Sequence, residues 1–126
     1  MKLTIRLVPR TKKNSQRILR NPRTGRSFVA PSEQYKAFEK AAGYYIKRPA
    51  EPIEGPVNVK CLYYMPTRRR VDLVNLEEAT LDILVKYGVL KDDNCSVVAS
   101  MDGSRVLYDK ENPRTEVVID EIIKSV

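Results

Sequence analysis

Apolar and polar residues alternate from the first strand onward. Leu3, Ile5 and Leu7 alternate with Lys2, Thr4 and Arg6, which predicts a half-buried strand over Lys2–Val8, stopped by Pro9. Tyr35, Phe38, Ala41, Ala42 and Ile46 recur at helical spacing, so a helix is expected from Glu33 to Lys47 with Ser32 as its N-cap. Pro49, Pro52, Gly55 and Pro56 make a rigid turn into a strand, Val57–Met65, whose odd positions Val57, Val59, Cys61, Tyr63 and Met65 share one face. A second helix should start at Asp72 or Leu73, run to Tyr87 and stop at Gly88. Its stripe of Leu73, Leu76, Ala79, Thr80, Ile83, Leu84 and Tyr87 faces the core. Ser96–Met101 and Arg105–Tyr108 read as strands joined by the turn pair Asp102-Gly103, and Thr115–Ile122 as the last strand. A hairpin is expected over Arg17–Ala30, around Asn21-Pro22-Arg23-Thr24-Gly25. With no linker and no repeat, residues 1–126 read as one small α+β domain, a mixed β-sheet with two helices.

Composition narrows the chemistry. The 126 residues are 42% hydrophobic, enough for one modest core, and extra burial through a homodimer is expected. No run approaches the roughly 18 apolar residues of a membrane span. Cys61 and Cys95 form no metal or disulfide pattern and no charged-apolar-cleavage segment opens the chain, so a reduced cytoplasmic setting is expected. Histidine is absent, which removes imidazole acid–base chemistry and histidine-based zinc sites, and leaves carboxylates, lysines and hydroxyls. The net charge of +7 is unevenly spread: residues 1–32 hold nine of the 23 basic residues and no acid, leaving 14 bases to face all 16 acids. That N-terminal quarter, with Arg10, Lys12, Lys13, Arg17, Arg20, Arg23 and Arg26 among Pro, Asn, Ser and Gly, suits a loop or open hairpin on phosphates; the plainer reading is a solvated basic loop.

The segment Arg68–Asn94 carries the densest chemistry. Asp72, Glu78, Asp82, Asp92 and Asp93 follow three consecutive arginines, Arg68, Arg69 and Arg70. Clustered carboxylates repel one another unless a hard cation such as Mg²⁺ takes their oxygens as ligands, and adjacent arginines would hold the polyanion to be cut. Asp72, Asn75, Glu78 and Asp82 fall within about 120° of one helix flank. Structural alternatives stand beside each: Asp72 as a helix cap, Asn75 as a helix-start or orienting group, Asp82 paired with Lys86, Asp92-Asp93-Asn94 as a polar turn, and the arginines as a solvated strand exit. Tyr63, Tyr64, Tyr87 and Tyr108 read as core or rim aromatics, and Cys95 as buried and inert.

The order Met65-Pro66, arginine run, Asp72-Leu73, Asn75-Leu76, helix, Gly88, Asp92-Asp93 resembles the RusA family of Holliday junction resolvases of phages and prophages, over roughly residues 60–100. Pro9–Asn14, with lysines before an asparagine, is similar to that family's opening. The resemblance implies a homodimeric, Mg²⁺-dependent endonuclease, with Mn²⁺ as a possible substitute and no small-molecule cofactor. Such an enzyme cuts a four-way DNA junction symmetrically in the cytoplasm of a bacterial or phage-infected cell. Asp72 matches the first aspartate of the family's Asp-x-Asp-Asn-Leu motif, and Asp92 and Asp93 its downstream pair. Val74 stands where the second motif aspartate would be, and Glu78 where the family has a catalytically important lysine. The expected metal and catalytic set is therefore Asp72, Asp92 and Asp93, with Glu78 restoring a carboxylate. The expected DNA contacts are Lys12, Lys13, Asn14, Arg17, Arg68, Arg69, Arg70, Asn75 and Lys91. The rival is a branched-DNA or single-strand binding module that has lost catalysis; a general RNA-binding protein rests on charge alone.

Overall fold

The computed structural model describes residues 1–12, 16–31 and 33–122. The expectations for Lys13, Asn14 and Ser32 lie outside them, as does the side chain of Arg17. Among the described residues the strands are β1 (Lys2–Ile5), β2 (Gln16–Arg20), β3 (Ser27–Pro31), β4 (Val57–Met65), β5 (Val98–Ser100), β6 (Arg105–Tyr108) and β7 (Arg114–Glu121). Two helices, α1 (Glu33–Ala42) and α2 (Leu73–Lys86), complete the fold, with a 3₁₀ turn over Gly43–Tyr45.

The main sheet is mixed. β7 lies between β1 and β4 and is antiparallel to both, with Leu3 opposite Val117 and Cys61 opposite Val117 on the other side. β4 is the spine because its alternation is strict: Val57, Val59, Cys61 and Tyr63 are buried while Asn58, Lys60, Leu62 and Tyr64 are half-buried on the opposite face. The buried face packs against Leu76 and Leu84 of the α2 stripe, with Thr80 bonded to Tyr63, while Ile83 of the same stripe meets Ile5 and Ala42. Each such apolar side chain contributes about 1.5–3 kcal/mol when fully buried. Tyr63 and Thr80 tie the layers in a relay: the Tyr63 hydroxyl lies 2.7 Å from Thr80 Oγ1, which donates to the Leu76 carbonyl at 2.8 Å.

Three elements differ from the expectation. β1 stops at Ile5 rather than Val8, because the Leu7 amide turns back to the Ile5 carbonyl at 2.9 Å and takes the chain off the sheet. α1 stops at Ala42 rather than Lys47: the chain tightens at Gly43, where any Cβ would meet the Tyr87 ring at 2.7 Å, and the Tyr87 hydroxyl donates to the Glu39 carbonyl. Asp102-Gly103 does not close a hairpin. β5 and β6 both run parallel to β4, at Val57–Asn58 and at Leu62–Met65, as two pieces of one interrupted edge strand. The side chain of Asn58 receives the Asp102 amide and donates to the Asp102 carbonyl, so the turn pair is a bulge pinned to β4 instead of a reversal.

Candidate active site and nucleic-acid interface

β4 delivers the chain to Pro66 and the arginines, and Asp72 opens α2. Its backbone is extended (φ −85°, ψ 121°), which is N-cap geometry, and its carbonyl accepts the Leu76 amide at 3.2 Å. Its carboxylate makes no capping bond among the described residues; it is exposed, and Oδ2 accepts from Asn75 Nδ2 at 3.1 Å. The helix therefore leaves this carboxylate pointing to solvent, oriented by Asn75. Val74 beside it is 72% exposed, apolar, and packed on nothing that its position requires.

A cleft of about 320 Å³ opens at this end of the molecule, lined by Arg10, Thr11, Gln34, Thr67, Arg69, Arg70 and Val71. Arg68 turns the other way: its guanidinium lies 4.5 Å from the Tyr108 ring centroid, in a second hollow of about 510 Å³ that Arg69 also lines. The three arginines thus spread over two adjoining concave surfaces, with Arg69 common to both. Arg10 and Gln34 join them through the segment after β1 and the first turn of α1. Arg10 was visible in the sequence as part of the basic N-terminal quarter, whereas nothing local to Gln34 marked it.

Farther along α2, Glu78 is exposed. Tyr35 is buried, and burial first, then the charges of Glu39, Asp82 and Glu78, push its hydroxyl pKa upward. Glu77 is half-buried on another side, and desolvation raises its carboxyl pKa. Asp82 does not pair with Lys86: Lys12 reaches across to it at 2.6 Å, and Lys86 bonds Glu39 instead. α1 lies close enough to outcompete a partner one turn away on the same helix. Lys12, expected on DNA, is thus already neutralised by a carboxylate.

Asp92 and Asp93 follow Gly88, whose φ of +77° ends α2. Leu90 bridges to Ile53, Lys91 pairs with Glu54 at 3.1 Å on the surface, and Asn94 accepts the Val97 amide just before β5. Asp92 Oδ1 accepts the Asp93 amide at 2.7 Å and Oδ2 accepts from Asn94 Nδ2 at 3.1 Å. These bonds, the Asp93 amide foremost, hold its carboxyl below the usual carboxylate range, so it is ionised at neutral pH. Cys95 is exposed, not buried, because the turn lifts residues 91–96 off the sheet; Cys61 is the buried thiol, and burial pushes its pKa up to about 12.

Asp72 sits at the start of α2 and Asp92-Asp93 beyond its end, after Lys91, whose amide donates to the Ile53 carbonyl, so the 14-residue helix, about 21 Å long, stands between the two acidic groups along the chain. Among the described residues, no three Asp, Glu or Cys side chains gather to hold a metal ion. The described residues of one chain alone therefore do not fit the cation that its carboxylates suggest. No helix among the described residues is long and apolar enough to cross a membrane.

No curated protein matches the chain. A family model described as endodeoxyribonuclease RusA matches residues 4–120, which covers nearly all of the sheet, both helices, the basic cleft and both acidic groups. This chain therefore belongs to the RusA endodeoxyribonuclease family.

Proposed function

We propose that this chain is a divalent-metal-dependent, structure-specific endonuclease that acts as a homodimer on four-way DNA junctions. The observation that carries the reading is the separation of two exposed carboxylate groups by the length of α2, with the arginine-lined cleft beside the first. A two-fold partner can supply what one chain lacks, by setting Asp92 and Asp93 of one protomer against Asp72 of the other. A closed dimer of this kind has two equivalent sites, which matches the two-fold symmetry of a junction and yields paired cuts.

Hard oxygen donors of this type suit Mg²⁺, with Mn²⁺ as a substitute. When bound, the cation would supply Lewis acidity that activates water and offsets charge on the leaving oxygen. The chain's own groups do the rest. Arg10, Arg69 and Arg70 can engage phosphate oxygens through bidentate guanidinium contacts, which orients the backbone for in-line attack. Asn75 holds the Asp72 carboxylate in one orientation, and the Asp93 amide keeps Asp92 ionised. Glu78, one and a half turns along α2, is proposed as the carboxylate that compensates for Val74. Products should carry 5′-phosphate and 3′-hydroxyl ends.

Val74 favours a second reading, a branched-DNA binding protein without chemistry. One assay separates the two: purified protein is incubated with a synthetic four-way junction, a matched duplex and a fork, each with Mg²⁺ or with chelator. Symmetric cleavage of the junction, with Mg²⁺ only, is the expected result. Junction binding without cleavage, with Mg²⁺ as with chelator, would select the second reading, and equal affinity for duplex and junction would remove both.

A further inference from the structure

The hairpin β2–β3 takes no part in the site described above. Its strands pair with each other, from Gln16↔Pro31 to Arg20↔Ser27, and form a sheet separate from the main one. Its turn closes on itself. The Asn21 amide donates to the Arg26 carbonyl and the Gly25 amide to the Asn21 carbonyl, each at 2.8 Å, while Asn21 Oδ1 accepts the Arg23 amide at 2.9 Å. Thr24 Oγ1 accepts the Arg26 amide, and Arg20 Nε donates to the Gly25 carbonyl. These bonds lie within the turn itself, and Arg20, Arg23 and Arg26 stand exposed on it.

Two further observations point to a ligand. Residues 16–31 hold four arginines and no carboxylate, so the mutual repulsion of the tip has no internal relief. Phe28, opposite Leu19 in the ribbon, is 47% exposed, an aromatic face beside the cations. Along the sequence the ribbon lies between Thr11 and Gln34, which both line the basic cleft. A two-stranded ribbon is of a size that a DNA major groove admits.

We propose that β2–β3 is an arm that grips the duplex flanking the cleavage point, with Arg20, Arg23 and Arg26 on backbone phosphates and Phe28 against a sugar or base edge. It rests on the reading of the chain as an enzyme of branched DNA, and assigns the arm to affinity rather than to chemistry. The test is fluorescence anisotropy of a labelled four-way junction with the full chain, in chelator, over a range of salt. The triple variant Arg20→Gln, Arg23→Gln, Arg26→Gln should reduce the magnitude of the slope of log affinity against log salt by about 2–3, and weaken binding at least about tenfold near 0.1 M salt. The corresponding triple Arg→Lys variant should recover most of the loss. Phe28→Ala should weaken binding at every salt concentration with the slope unchanged. A triple Gln variant that melts like the parent and keeps its slope and affinity overturns the arm alone; a parent protein that binds junctions but never cuts them defeats the nuclease reading alone.

Discussion

Asp72 occupies a helix N-cap and leaves its carboxylate out of the cap, so the residue best placed to stabilise α2 contributes its charge to the surface instead. Capping normally contributes about 1 kcal/mol, and leaving it unmade is the kind of local cost that functional positions carry. Val74 gives a direct test of the account at this scale. Being 72% exposed, it can become aspartate without loss of packing, and Val74→Asp should increase junction cleavage severalfold at limiting Mg²⁺ in a single-turnover assay. A variant that cuts no better, or worse, would mean that the carboxylate at 72 does not work with its neighbour two residues on. Glu78 is the complementary case: Glu78→Gln should lower the cleavage rate by about 100-fold or more, an amount consistent with losing several kcal/mol of transition-state stabilisation. Glu77→Gln, on the half-buried side of α2, should leave the rate within about twofold of the parent, and full activity in Glu78→Gln would reduce position 78 to an exposed helix residue.

At the scale of elements, α2 sets the distance between the acidic groups and the turn through Gly55 anchors the second of them. Gly55 has φ +80°, and a Cβ there would meet Val97 Cα and its carbonyl oxygen at 2.5 Å, both backbone atoms that cannot swing away. Gly55→Ala should therefore destabilise the fold by about 2 kcal/mol or more and displace the Asp92–Asn94 turn, which hangs on the same strand end. Thermal melting with a cleavage assay below the transition checks it, and an unchanged melting temperature would contradict the packing described. α2 and β4 were legible in the sequence because each buries one unbroken stripe, and a stripe fixes both the period and the face. The β5–β6 segment was not, since alternation reveals which face of a strand is buried but not which strand lies alongside. Asn58, far away in sequence, turns the Asp102-Gly103 pair into a bulge. Likewise α1 ends where Tyr87 of a distant segment needs room, which its own periodicity cannot report.

On the scale of the whole molecule, a chain with net charge +7 presents Arg10, Arg69 and Arg70 around one cleft and Arg20, Arg23 and Arg26 on a separate ribbon, and the carboxylates proposed to bind metal precede and follow one helix. The types and order of these residues are legible in the chain, but how far apart the fold sets them is not. Asp72 and Asp92 are 20 residues apart, a spacing that a helix and a reversing loop could fold to either a contact or a gap. The proposal that each active site is shared between protomers depends on that gap. It is tested by mixing two inactive variants, Asp72→Asn and the double variant Asp92→Asn, Asp93→Asn, under conditions that exchange subunits, and following a labelled four-way junction with Mg²⁺. A mixed dimer would hold one site with Asp72, Asp92 and Asp93 all intact and one with all three replaced, so single-strand nicks should reappear, at up to about half the parental rate per mixed dimer, without the paired second cut. Silence in the mixture, with exchange demonstrated and the parent protein active, would place each site within a single chain and contradict the account.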